Sequence, residues 1–154
     1  MNTDSASDYR HTQGAPWHWM LDAFGVGLLV VAWLSDEPVY ARWLMLGLAC
    51  LFLLLGSSFR HLTVEDQGDH LEVRFGPIPL FRRRVRYEDV KAAEVGRTLL
   101  LDGWGIHMSV RGGWVWNIWG RDCVVIHLDR GTLRIGTDDA EKLADFLKQR
   151  IGVA

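Results

Sequence analysis

The densest charge in the chain is Arg82-Arg83-Arg84-Val85-Arg86. In extended backbone alternate side chains share a face, so Arg82, Arg84 and Arg86 form a line of guanidinium groups suited to anionic lipid headgroups, each worth about 1 kcal/mol close to a charged leaflet. The competing reading is a solvated strand face that discourages edge pairing, with Glu88, Asp89 and Glu94 near enough in sequence to neutralise part of it. A second concentration is aromatic: Trp104, Trp114, Trp116 and Trp119 fall in one Gly-rich stretch. Trp114 and Trp116 alternate as core-facing strand residues would, which leaves Trp104 and Trp119 as the candidates to enter a lipid interface or grip a partner.

Asp22 stands inside an apolar run, where a carboxylate is by default a candidate for a proton or ion relay, here with His18. It follows Trp17 by only about 7 Å of helix, which favours a carboxylate at the headgroup level. Other chemistry finds little support. Gly103-Trp104-Gly105 has Met108 where a dinucleotide fingerprint needs glycine, and Gly-Lys-Ser/Thr does not occur. His11, His18, His61, His70, His107 and His127 show no short metal spacing, Cys50 and Cys123 read as separate buried thiols, and no serine sits in a nucleophile elbow. No catalytic, metal or cofactor residue is therefore assigned, and the chain is not expected to be an enzyme.

These residues need elements to position them. The 154 residues carry 17 Lys+Arg against 19 Asp+Glu, a net charge of −2, which fits one domain and excludes a basic nucleic-acid binder. Residues 1–15 read as a disordered tail. Pro16–Leu34 and Val39–Phe59 are apolar runs joined by Ser35-Asp36-Glu37-Pro38, and the first covers roughly 28 Å as a helix, so the pair is expected to be a transmembrane hairpin. Trp17, Trp19 and Phe59 would mark one interface and Trp33, Tyr40 and Trp43 the other. Ala23 and Gly27, with Gly47 and Cys50, offer small faces for helix contact. Arginine is dense beyond Arg60 and sparse in the loop, which places both termini in the cytoplasm.

Residues 60–154 alternate instead. The pattern predicts about seven short antiparallel strands, from His61–Glu65 to Thr132–Ile135, with proline breaking the ladder at Gly76-Pro77-Ile78-Pro79. A helix follows with Thr137 or Asp138 as its N-cap and Ala140, Leu143, Ala144, Leu147 and Ile151 on one apolar face.

The segments Asp102-Gly103-Trp104-Gly105-Ile106-His107, Gly113-Trp114-Val115-Trp116-Asn117 and Arg130 to Asp138, followed by that helix, resemble bacterial membrane proteins carrying a pleckstrin-homology-like domain. The resemblance implies an α+β fold, a small barrel of about seven strands plugged by the C-terminal helix, in the bacterial cytoplasmic (inner) membrane, and it implies no shared ligand. A two-helix anchor bearing an OB-type barrel is the runner-up, and the terminal helix counts against it. The expected function is a non-enzymatic integral membrane protein presenting an interaction or assembly module at the cytoplasmic face, to a protein partner or to another copy of itself. The alternatives are an anionic-headgroup sensor using Arg82, Arg84 and Arg86, or an accessory subunit of a transporter or enzyme using Asp22.

Overall fold

A computed structural model describes residues 9–99 and 102–152. Residues 1–8 of the expected tail lie outside the described residues. The element order is β1 (Arg10–Gly14), α1 (His18–Leu34), α2 (Val39–Ser58), β2 (His61–Asp66), β3 (His70–Gly76), β4 (Arg82–Arg86), β5 (Val90–Arg97), β6 (Gly105–Met108), β7 (Trp114–Asn117), β8 (Asp122–Leu128), β9 (Gly131–Gly136) and α3 (Ala140–Ile151).

The two apolar helices pack side by side, but they do not make the expected pair of membrane spans. Among the described residues only α2 is long and apolar enough to cross a membrane by length and composition; α1 has 17 residues and falls short. The reason lies at its start. Pro16 and Trp17, counted from sequence as the first turn of a span, belong to the junction with the sheets, where the Trp17 indole N–H donates to the Ile118 carbonyl at 3.0 Å. The helix contact also uses a different face from the expected one. Gly27 and Gly47 have open space around them and Cys50 is exposed, whereas Gly25 lies against Leu53 and Ala49, and Gly56 against Asp22. Phe24 and Phe52 meet edge to face at 4.7 Å.

The sheets depart from the expected barrel as well. One sheet has four strands in the order β1-β2-β3-β4 and the other five in the order β5-β8-β9-β7-β6, and neither closes on itself or on the other. The seven-stranded pleckstrin-homology-like barrel is thus corrected to two separate sheets, and an OB-type barrel is equally unsupported. A short 3-10 turn at Tyr87–Asp89 separates β4 from β5 and starts the second sheet. Within that sheet β7 runs parallel to β9, a pairing that alternation along the chain does not reveal. Two strands are additional. β6 arises in the Gly-rich stretch and pairs with β7. β1 arises in the presumed tail, because β2 offers it a free ladder from Arg10↔Glu65 to Gly14↔His61, and because the Tyr9 ring stacks on Phe146 of α3 at 5.3 Å.

The sheets bury their inner faces against one another, with Leu62, Leu71 and Phe75 meeting Trp116, Ile126 and Ile135 in one core. α3 covers one end of that core with Ala140, Leu143, Ala144 and Leu147 buried and Ile151 half-buried. It starts after Asp139, one residue beyond the expected cap, and Thr137 instead accepts the Asp139 backbone N–H with its hydroxyl at 3.1 Å. It ends at Gly152, whose φ of 69° is the left-handed conformation that only glycine adopts cheaply.

Beneath α3 lies a buried carboxylate. Asp66 accepts the Tyr87 hydroxyl at 2.7 Å and the Gly68 backbone N–H at 2.8 Å, and pairs with Arg150. Burial opposes its charge, but these donors outweigh the burial and hold the carboxyl below its ordinary range.

Candidate functional site

The chain enters the helices from β1 and returns through β2, which are hydrogen-bonded neighbours, so the helix pair and the sheets share a stiff junction. The Ala15 N–H donates to the Arg60 carbonyl at 3.1 Å. Phe59 closes α2 with its ring among Phe75 at 4.9 Å, Phe81 at 5.4 Å and Trp17 at 5.7 Å. On the other side of Trp17, the Gln13 side-chain amide donates to the Trp119 carbonyl at 3.0 Å. The loop after β7 is therefore fastened to the helix-proximal end of the domain.

Two of the expected contact residues come together there. Trp104, ahead of β6, and Trp119, beyond β7, stack at 4.7 Å between centroids and 25° between planes. The rings remain 51% and 37% exposed, too open for core residues and too ordered for idle ones. With Thr98, Leu99, Gly103, Gly120 and Arg121 they line a largely apolar cleft of about 410 Å³. Of the other two tryptophans, Trp116 is buried against Phe75 at 5.7 Å, as alternation predicts, while Trp114, at the outer end of the same strand face, is exposed.

Asn117, which the sequence reading passed over, holds the two loops in place. It is fully buried, and its amide nitrogen donates to the carbonyls of Gly120 at 3.1 Å and Gly103 at 3.4 Å. Its oxygen accepts the Trp119 backbone N–H at 3.2 Å. Gly136 faces it across the sheet, and a Cβ there would overlap the Asn117 amide oxygen. The signal in the sequence is slight: a short polar residue closing an otherwise apolar Trp-Val-Trp strand. Behind the cleft, Asp102 accepts the Leu99 backbone N–H at 2.9 Å. Burial works against its charged form, but that bond, a Ser109 hydrogen bond and the charges of His107 and Arg111 keep the carboxyl below its usual value.

The arginine stripe is placed differently. Arg82, Arg84 and Arg86 do share the exposed face of β4, an edge strand. Arg84 is 3.6 Å from Glu72, its cross-strand neighbour, and Arg86 is 2.8 Å from Glu88 and 3.2 Å from Asp89. The line also climbs away from the helices, since Arg82 is at the helix-proximal end of its strand and Arg86 stands about 13 Å farther along. It meets neither requirement of a headgroup-reading row, being neither free nor level. Among the described residues only Arg82 of the three lacks an ion pair.

Asp22 likewise has a structural partner. Its carboxylate lies 3.3 Å from the Arg60 guanidinium beside Gly56, while His18 turns its Nδ1 to the Ala15 carbonyl at 2.6 Å. No proton relay joins the two. Cys123 is fully buried, and burial pushes its thiol up to about 11. His127, on the same strand, pairs with Glu94 at 3.0 Å. Among the described residues no group of three His, Cys, Asp or Glu side chains is placed to hold a metal ion.

The chain matches no protein-family model and no curated protein.

Proposed function

We propose that the protein is a membrane-anchored, non-enzymatic interaction module, with its two-sheet domain at the cytoplasmic face and the Trp104/Trp119 cleft as its contact with a protein partner. The anchor rests on the uncovered surface of α2. Tyr40 is 76% exposed, with Val39, Trp43 and Leu44 alongside, a patch that water disfavours and lipid accepts. α2 supplies the segment of spanning length.

The observation that carries the interaction role is the stacked tryptophan pair, held half-exposed by a buried Asn117. Ordering two rings in advance lowers the entropy lost when a partner binds, and tryptophan is enriched among the residues that anchor protein contacts. A segment presenting one or two apolar side chains suits the cleft's size, and Arg121 at the rim adds one charge for orientation.

The test places a photo-crosslinking residue at Arg121 in the full-length protein in native membranes, with Arg130, in the β8–β9 turn, as control. The expected result is a discrete protein adduct from position 121, absent from 130 and lost on Trp119→Ala. An adduct at twice the chain mass identifies a second copy as the partner. No adduct, or equal adducts from both positions, overturns the assignment.

A further inference from the structure

The β3–β4 loop is Pro77-Ile78-Pro79-Leu80-Phe81, and it turns its apolar residues outward. Ile78, Leu80 and Phe81 are 40%, 48% and 37% exposed, although the core is a few residues away on either side. Two prolines remove backbone N–H donors, so such a tip can enter a poorly hydrated layer with fewer unmet hydrogen bonds.

Its position is specific. The Phe81 ring lies 5.4 Å from that of Phe59, the residue that closes α2, so the loop sits directly against the end of that helix. Immediately after it come Arg82, exposed, and Arg83, half-buried, and neither makes an ion pair among the described residues. The other arginines of β4 do have carboxylate partners. An apolar tip followed by a collar of unneutralised cations matches a bilayer interface with anionic headgroups: the tip reaches the acyl boundary and the guanidinium groups stay at phosphate level. A protein partner would need acidic groups to meet the same pair.

We propose that this loop is a second membrane contact, inserting Ile78, Leu80 and Phe81 beside the anchor and using Arg82 and Arg83 to select anionic lipid. The inference rests on the membrane-anchored reading. With α2 fixing one point and the loop another, the domain is held at one tilt and the Trp104/Trp119 cleft at one height.

The test uses full-length protein in vesicles containing lipid-borne doxyl quenchers, with and without anionic lipid. A bimane label goes on native Cys50, on Leu80→Cys or Ile78→Cys in a Cys50→Ala background, or on Arg130→Cys in the same background; buried Cys123 stays unlabelled. The expected result is quenching at positions 50, 78 and 80 and none at 130. In anionic vesicles Arg82→Glu, alone or with Arg83→Glu, reduces quenching at position 80, each removed charge lowering the loop's partition about fivefold, and leaves position 50 unchanged. Quenching at 50 without quenching at 78 and 80 overturns the loop contact and leaves the anchor standing. Absence of quenching at all these positions overturns both. Equal quenching with and without anionic lipid overturns the role of the arginines.

Discussion

Replacing Asn117 tests how the cleft is built. Asn117→Ala removes two donors, to the carbonyls of Gly120 at 3.1 Å and Gly103 at 3.4 Å, and one acceptor, for the Trp119 N–H at 3.2 Å. Two are normal bonds worth about 1 kcal/mol each, and the long one adds less, so the expected loss is about 2–3 kcal/mol. Asn117→Asp separates this account from simple packing. Aspartate has the same shape and still accepts from Trp119, but it sets a carboxylate against two carbonyl oxygens at a fully buried position, so it must cost more than alanine. The assay is denaturant unfolding of the full-length protein in detergent, with the near-ultraviolet circular dichroism of the stacked indoles recorded alongside. Trp104→Phe and Trp119→Phe assign that signal. Both Asn117 variants should weaken it, since each releases the loops that hold the rings. If aspartate is tolerated better than alanine, or if alanine leaves the indole signal intact, Asn117 does not position the pair.

Asp66 gives the domain an acid-sensitive element. Its carboxyl lies below the ordinary range when folded, so its contribution is complete above the unfolded value of about 4 and is lost as pH falls through the folded value. Stability measured below about pH 4 should therefore decline more steeply in wild type than in Asp66→Asn, which should itself be weaker at pH 7 by about 2–4 kcal/mol through loss of the Arg150 pair; parallel curves would refute this. The cysteines report on the two parts of the chain. At pH 8 Cys123, with its thiol pushed up to about 11, should resist maleimide until the domain unfolds, whereas exposed Cys50 should react in detergent and be shielded from a charged maleimide in native membranes. Rapid labelling of Cys50 by the charged reagent in membranes would count against the anchor.

What the sequence discloses is what is set locally. The apolar runs, the alternation of β4 and the apolar face of α3 are all visible one residue at a time, and Ala140, Leu143, Ala144 and Leu147 are buried where their period places them. Pairing is not local. β1 owes its order to the free edge of β2 and to Phe146, more than a hundred residues away, so its polar composition misleads. The same holds for the helix contact: two small-residue faces were available, and the one used is the one that keeps Asp22 within 3.3 Å of Arg60.

The candidate residues divide along the same line. Trp104 and Trp119 are legible as surplus aromatics, since the strand pattern leaves them no core position. Their stacking is not legible, because it depends on Asn117 joining two loops through a single buried amide. For Arg84 the acidic partner is not the one that nearness in sequence suggests. Its neutralising partner is Glu72, set opposite by the β3–β4 register and not among the acidic residues that follow it in sequence.

The junction gives these separate pieces a common consequence. A domain joined to a membrane helix by a free linker samples many heights and tilts, and its binding surface then meets partners from solution. Here the chain leaves through Gly14 and returns through His61, two residues paired in one ladder, and Phe59 is wedged among rings from both the anchor and the core. Moving the domain relative to α2 would break the Trp17–Ile118 hydrogen bond and uncover Phe75 from beneath Phe59. The cleft is consequently fixed near the level at which α1 begins, because the loop bearing Trp119 is itself bonded to Gln13 and, through Ile118, to Trp17. On the proposed membrane-anchored reading, a partner reaching Trp104 and Trp119 presents its apolar group within a few residues of the membrane surface, which favours juxtamembrane segments of other membrane proteins over soluble ligands.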